Sequence, residues 1–306
     1  MVSLNQPVND DKITDISFYL QLIERLRNES GSLKTNTKLA THPYLQAAKE
    51  GQLSLAQRRA FVGEQYTIQY SDACSFAVLA GHTNFRPKSL SVASVPSPSP
   101  PTTIDERDNS EPNIFRFLLG GEIYASKLLL DHAKSVGFDS EDEGDLRRYP
   151  VTAKAQAYPS YWARIALAGN RGAGAAVSKH HFIRIREFSF ILDSYIIAIS
   201  SRTFVTLLVI LQKACAVNFP AWGKMCSDLL EALRNRPEYG YSTMSDDDAS
   251  TALAFVDFFA CPIEKLDEMA ASTMLKGNVS YEDVVTEVRL LQEYEILFWD
   301  SIYEAS

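Results

Sequence analysis

This chain has few of the residues that build metal sites, disulfide scaffolds or nucleic-acid surfaces. It has four cysteines in 306 residues, with no Cys-x-x-Cys pair and no Cys/His spacing typical of a zinc site. It also lacks an excess of positive charge, because 30 Lys and Arg stand against 38 Asp and Glu, a net charge of −8. Such a chain does not attract nucleic acid or an anionic membrane non-specifically. We therefore predict no nucleic-acid partner and no membrane partner.

The first residues carry no targeting signal that we recognise. Residues 1–14 lack the apolar core of a signal peptide and the Arg/Ser-rich amphipathic pattern of a transit peptide. Few, scattered cysteines are typical of a reduced intracellular compartment. We predict a cytoplasmic protein, with a plastid location as the alternative, and residues 1–306 as a single domain.

Helical periodicity dominates the sequence, and strand-like alternation with hairpin turns is nearly absent. Ser54 and Gln57 have the spacing of a capping box, which predicts a helix from there to about residue 80. A second helix is predicted over 113–136, ending at Gly137, because glycine readily adopts the left-handed conformation at a helix C-terminus. The sequence therefore predicts an all-α fold.

Two stretches break the helical pattern. Residues 86–112 are rich in Ser and Pro, which predicts a surface loop. Residues 177–212 contain an apolar run, 188–211, that is long enough to cross a membrane. Asp193, Arg202 and several Ser/Thr residues make it a poor spanning helix, and its β-branched residues suit a strand equally well.

We interpret residues 177–212 as a retained intron. The codons of 177–178 can read GTAAGT, the start of a eukaryotic intron, and those of 211–212 can read TTGCAG, a typical intron end. Removing the segment keeps the reading frame, deletes 36 of the 306 residues and leaves a junction of small, helix-compatible residues. Mature transcripts that contain the segment would instead establish it as a genuine, lineage-specific loop.

Three predicted helices carry a carboxylate within or beside an apolar face. In the last helix, Glu295 interrupts a stripe of apolar residues at spacings of three and four, from Tyr281 to Ile302. Glu122 and Asp72 occupy similar positions in two earlier helices. An ionised carboxylate among apolar residues is costly unless it is paired, hydrogen-bonded or beside a wet cavity. If these helices pack together, their acids line a polar pocket inside a bundle.

Each of these residues also has a structural interpretation. A boundary position with a snorkelling or paired side chain explains either upstream acid as well as a ligand site does. Glu295 fits that explanation less well, because bulky apolar residues flank it on both sides of its stripe. The aromatic side chains of Tyr66, Tyr158 and Trp222 either stack on a flat ligand or belong to the core.

Five runs of the sequence carry a family resemblance. They cover most of the chain outside the two irregular stretches, at residues 42–72, 117–137, 155–169, 216–225 and 291–303. The first begins HPYLQAAKEGQLSLAQRRAF and the last reads LQEYEILFWDSIY. In their order and spacing, these runs resemble the TenA/PqqC family of the heme-oxygenase-like superfamily. The resemblance implies one all-α, heme-oxygenase-like bundle of seven or eight helices around a central pocket, assembled as a homo-oligomer.

The resemblance also implies roles for individual residues. In TenA-like thiaminases the pocket binds a small aminopyrimidine, a cysteine attacks the ring, and a glutamate in an E-x-x-F-W segment transfers protons. The run EILFW, residues 295–299, matches that segment and implies an acid/base role for Glu295. Two ligand-orienting carboxylates and three aromatic pocket walls complete the predicted site: Asp72, Glu122, Tyr66, Tyr158 and Trp222.

The chain departs from the family pattern at the nucleophile. The family places its cysteine in a Pro-Cys-x-Trp-like run, whereas residues 218–222 read NFPAW, with Ala221 in place of the cysteine. Some family members that lack this cysteine resemble amidohydrolases that use the glutamate. We predict binding of a small thiamine-related aminopyrimidine or similar heteroaromatic ligand, with glutamate-dependent hydrolysis as the enzymatic form. Non-catalytic ligand binding is the alternative.

An iron-dependent oxidase of the heme-oxygenase-like type is a third class. Glu64 and Glu122 stand at suggestive positions, but the histidine needed seven residues after Glu64 is replaced by Ser71. Without imidazole ligands a stable diiron site is not expected. His42, which precedes Pro43, is expected either to cap a helix or to pack in the core rather than to bind metal. The sequence therefore predicts no metal and no cofactor.

Overall fold

The computed structural model describes residues 15–82, 114–139, 143–169, 216–263, 265–277 and 281–306. The Ser/Pro-rich stretch 86–112 and the irregular stretch 177–212 lie outside these residues. The surface loop and the retained intron therefore stay predictions. The single domain and the homo-oligomer also stay predictions.

Helices account for the regular structure of the described residues, and no strand occurs among them. This confirms the predicted all-α fold. Two short 3₁₀ turns, Pro237–Tyr239 and Tyr241–Thr243, separate two of the helices. In chain order the helices are α1 Ile16–Arg27, α2 Ser30–Ala40, α3 Pro43–Lys49, α4 Leu55–His82, α5 Ile114–Ser135, α6 Gly144–Arg147, α7 Ala157–Gly169, α8 216–235, α9 Asp246–Ala260, α10 Leu266–Gly277 and α11 Glu282–Tyr303.

Local signals in the sequence set the start of the long helix α4 and the end of the long helix α5. Ahead of α4, Gln57 donates its backbone N–H to Ser54 Oγ, and Ser54 donates its backbone N–H to Gln57 Oε1, which is the predicted capping box. After α5, Gly137 has a φ of +78° and the N–H of Phe138 bonds to the carbonyl of Ala133. Both predicted helix ends are confirmed.

The core consists of two apolar clusters separated by a polar layer. One cluster includes α1, α10 and the first half of α11, and the other includes α3, α9 and the last turns of α11. Four helices, α4, α5, α8 and α11, contribute to both clusters. Where they cross from one cluster to the other they carry buried polar side chains, which we call the polar layer: Gln69, Asp72, Glu122, Asn218 and Glu295.

The segment before α7 is fixed to the bundle through Glu64 of α4. The carboxylate of this buried residue accepts the backbone N–H of Thr152 at 2.8 Å and the side-chain amide of Gln156 at 2.7 Å. The hydroxyl of Thr152 also bonds to that of Ser301 in α11, at 2.6 Å. These bonds fix the start of α7, and with it Tyr158, against α4 and α11.

None of the helices in the described ranges is both long enough and apolar enough to cross a membrane.

Two helical glycines provide a matched test of the packing around α4 and α5. A Cβ on Gly63 would overlap the ring of Tyr149, whereas a Cβ on Gly120 would meet nothing within 4 Å. We expect Gly63→Ala to lower the free energy of unfolding by about 1–3 kcal/mol, because it overpacks a close contact. Gly120→Ala should raise it by about 0.5–1 kcal/mol, because alanine favours the helix.

Urea denaturation of both variants and the parent measures these changes. Equal effects of the two substitutions would contradict the close packing of Tyr149 on α4.

Candidate functional site

A cavity opens in the polar layer. Its empty volume is about 550 Å³, and this volume includes the part that is open to solvent. Helices α4, α5, α7, α8, α9 and α11 line it with polar and aromatic side chains. The polar and aromatic lining residues discussed below are Gln65, Gln69, Asp72, Glu122, Tyr158, Trp162, Asn218, Trp222, Phe259 and Glu295.

Glu295 stands at the wall of this cavity in a buried position, with 2% of its surface exposed. Its Oε2 accepts a hydrogen bond from the Asn218 side-chain amide of α8, while its Oε1 has no partner within the described residues. Burial raises the pKa of Glu295 to about 8, and the bond from Asn218 and then the neighbouring Trp299 indole N–H offset this rise only in part. Near neutral pH the group is therefore mainly a carboxylic acid, which can donate a proton, in equilibrium with a smaller fraction of carboxylate, which can accept one.

Asp72 of α4 and Glu122 of α5 face the same cavity. They are 5% and 6% exposed, and among the described residues neither Asp72 Oδ1 nor Glu122 Oε2 has a hydrogen-bond partner. Burial raises the pKa of Glu122 to about 8, against the effect of a hydrogen bond from Gln69. Burial, and then the charge of Glu122, raise the pKa of Asp72 well above its ordinary value.

The predicted aromatic walls divide into two groups. Tyr158 and Trp222 line the cavity, but Tyr66 does not. The hydroxyl of Tyr66 donates to Glu143 Oε2 at 2.6 Å, just ahead of α6. Residue 66 lies roughly 100° around α4 from Gln65, away from the helix face that lines the cavity. Contrary to the prediction, Tyr66 therefore does not form a wall of this cavity.

The described cysteines do not supply a nucleophile at the cavity. Cys226 of α8 is fully buried outside the cavity lining, and Cys74 and Cys261 are exposed outside it. Burial, and then the charge of Glu295, raise the pKa of the Cys226 thiol well above its ordinary value. Cys226 is therefore a neutral core thiol, and Cys215 lies outside the described residues.

Glu64, one of the two glutamates considered for a diiron site, has other partners. Both carboxylate oxygens of Glu64 accept hydrogen bonds, and His132 Nδ1 bonds to the Ala252 carbonyl at 2.7 Å. His42 caps α3 by accepting the N–H of Tyr44, which is one of its two expected roles. In the described part of the chain no group of three or more His, Cys, Asp or Glu side chains is placed to hold a metal ion. These residues do not fit a diiron centre.

The structure adds residues that sequence reasoning did not assign to the site. Asn218 bonds to Glu295, the Gln69 side chain lowers the pKa of Glu122, and Trp162 and Phe259 add aromatic walls. Asn218 had a signal, since it is a polar residue in an otherwise apolar start of α8. Trp162 and Phe259 had none, because aromatic residues at helical spacing are typical of the core.

The arrangement thus defines a helical bundle with an acid-lined, aromatic-walled cavity. Comparison with solved structures shows that the chain is similar to a TenA homologue from Pseudomonas syringae pv. tomato strain DC3000. The TM-score is 0.57 at 11% identity, and the similarity covers 95% of this chain and 96% of that one. The chain therefore has the all-α bundle fold of a TenA homologue, which confirms at the level of the fold the resemblance found in the sequence.

A second similar structure is a domain of unknown function with a heme oxygenase-like fold from Shewanella denitrificans OS217. It has a TM-score of 0.43 and 13% identity, over 95% of this chain and 93% of that domain. No protein-family model and no curated protein sequence matches the chain.

Glu295 makes the stability of the protein depend on pH. Its folded-state pKa of about 8 lies above its ordinary value of 4.5, so the folded state holds a proton that the unfolded state loses between these values. The contribution of Glu295 to the free energy of unfolding is therefore complete below the lower value. It falls as pH rises through this range, by up to about 1.4 kcal/mol per pH unit. We expect Glu295→Gln to remove this contribution and to gain stability over the parent as pH rises.

Urea denaturation at about pH 6 and about pH 8 tests this linkage. Glu293→Gln, at an exposed position on the same helix, is the control. A stability difference between Glu295→Gln and the parent that stays constant with pH would show that Glu295 is ionised in the folded protein.

Proposed function

We propose that this protein is TenA-like and that its cavity binds a small thiamine-related aminopyrimidine or a similar amino-substituted nitrogen heterocycle. Two findings support the proposal. The fold is similar to that of a TenA homologue over nearly the whole chain. The cavity combines buried carboxyl groups with aromatic walls, which suits a flat ligand with several hydrogen-bonding nitrogens.

The observation that carries the proposal is the unpartnered Oε1 of Glu295. Within the described residues this oxygen is buried at the cavity wall without a hydrogen bond, while Asn218 fixes the other oxygen. A buried polar atom without a partner is unfavourable, so a ligand that bonds to it regains lost free energy. A ring nitrogen can accept the acid's proton, and an amino group can donate to its oxygen. An amino-substituted heterocycle offers both groups.

Hydrolysis is the second candidate function, and the pKa of Glu295 of about 8 favours it. A general acid/base works best when its pKa lies near the working pH. In hydrolysis of a formylated aminopyrimidine, ionised Glu295 takes a proton from water as the water oxygen bonds to the formyl carbon. Glu295 then gives this proton to the nitrogen as the carbon–nitrogen bond breaks, which releases the amine and formic acid; the formic acid then loses its proton to solvent as formate forms. Water takes the place of the missing cysteine as nucleophile.

Ligand binding is tested by thermal unfolding of the full chain with aminopyrimidines and formyl-aminopyrimidines. A ligand that binds only the folded state raises Tm, and we expect a rise of several degrees at saturating probe. Glu295→Gln should weaken binding about tenfold or more, because the amide offers a different set of donors and acceptors. Glu293→Gln should bind as the parent does. If no probe raises the parent's Tm, the proposed ligand class is wrong.

Turnover is tested separately, by measuring formate release from the formylated probe. We expect Glu295→Gln to lower kcat by about 100-fold or more, since it removes the group that moves the proton. Binding of the probe without formate release by the parent would identify a non-catalytic binding protein. Full turnover by Glu295→Gln would exclude Glu295 as the acid/base.

A further inference from the structure

A partly buried arginine, Arg58, lies in the first turn of α4, outside the cavity lining. It precedes Gln65, which does line the cavity, by seven residues. Seven residues are almost two helical turns, so the two side chains share one face of α4 and lie about 10 Å apart along its axis. Between them the buried ring of Phe61 packs against Trp299 of α11, with 6.1 Å between the ring centres. Arg58 therefore belongs to a part of the bundle that the acid/base chemistry of Glu295 does not use.

Buried aromatic side chains from three other parts of the chain surround this guanidinium. They are Tyr44 of α3, His132 of α5, and Tyr239 and Tyr241 of the two 3₁₀ turns, and each is 6% exposed or less. The guanidinium carbon of Arg58 lies 5.2 Å from the centre of the Tyr239 ring. The charge of Arg58 also acts on Tyr44, Tyr241 and His132. The fold therefore brings three tyrosines and a histidine to one cation.

Arg58 has no counter-charge in the part of the chain that the structure describes. No described carboxylate forms an ion pair with it, and its buried Nε has no hydrogen-bond partner. Burial raises the pKa of each surrounding tyrosine and lowers that of His132 to about 4, so near pH 7 all four groups are neutral. The nearby charges of Glu238 and Arg236 act on Tyr239 with opposite signs. A partly desolvated cation without a counter-charge is unfavourable.

We propose that Arg58 and the hydroxyl groups of Tyr44 and Tyr241 form a binding site for a small phosphate-type oxyanion. The anion supplies the negative charge that Arg58 lacks, and charge-assisted hydrogen bonds to guanidinium are strong. Neutral tyrosine hydroxyls can donate to its remaining oxygens, which a tetrahedral anion presents in several directions. The Tyr241 hydroxyl shares a bond of 2.9 Å with Ser135 Oγ, and its proton is free for the anion when Ser135 is the donor. None of these residues lines the cavity, so the site does not depend on the proposed function.

Thermal unfolding of the full chain in inorganic phosphate, compared with sodium chloride of the same ionic strength, tests the site. We expect phosphate at about 20 mM to raise Tm by about 2–4 °C over chloride, because it binds the folded state. Methyl phosphate is the second probe. A similar rise with methyl phosphate would assign phosphate monoesters to the site as well, whereas a rise with inorganic phosphate alone would assign it to the free ion.

Arg58→Gln removes the charge and keeps a polar side chain. It should abolish the phosphate-dependent rise in Tm, because phosphate binding weakens by about tenfold or more. Arg58→Lys keeps the charge and should retain part of the rise. Arg25→Gln is the matched control, since Arg25 is exposed and also lies over a tyrosine ring, 3.8 Å from the centre of Tyr281. This control should show the same rise as the parent.

Two results would overturn the site. One is a parent Tm that does not differ between phosphate and chloride. The other is an equal rise in the parent and in Arg58→Gln, which would show that phosphate acts elsewhere and that Arg58 has a packing role. If Arg58→Gln does not fold, Tyr44→Phe takes its place: it removes one donor, and calorimetric titration should show phosphate binding several-fold weaker than in the parent. Unchanged binding by Tyr44→Phe would then count against the site.

Discussion

The need to accommodate carboxyl groups inside an apolar bundle governs this structure. Helices α4, α5, α8 and α11 each place polar side chains of the polar layer between two apolar clusters. A single such group in a dry core would be excluded by its desolvation cost. Grouped around a cavity, Glu295 accepts a hydrogen bond from Asn218, Gln69 partly offsets the effect of burial on the pKa of Glu122, and both acids keep raised pKa values. The cavity is thus what makes three buried acids compatible with a stable helical core.

Under the proposed function, the same layer favours ligand binding at the expense of stability. Its buried oxygens without partners, among the described residues, are unfavourable in the ligand-free protein and become favourable when a ligand bonds to them. Active sites commonly hold such unsatisfied groups, because an arrangement that suits the ligand lowers the stability of the ligand-free protein. This cost to stability supports the functional role that we propose for the acids of the polar layer.

The sequence predicted the parts of this arrangement that follow from helical periodicity. The stripes around Glu295 and Glu122 are buried as predicted, because spacings of three and four fix which face of a helix a residue shares. Periodicity does not identify the partner across a helix interface, so the bond from Asn218 to Glu295 was beyond prediction. Tyr66 was misplaced for a related reason: one position along a helix turns a side chain roughly 100°, here toward Glu143.

The bonds that Glu64 accepts from Thr152 and Gln156 have a consequence for ligand selection. They anchor the segment that leads into α7, so Tyr158 is held at the cavity before any ligand arrives. A wall that is already ordered loses little conformational entropy when a ligand stacks on it, which favours affinity. Under the proposed function, this anchoring also narrows the range of ligand shapes that fit beside Tyr158. Selectivity by size would then originate in a carboxylate that never contacts the ligand.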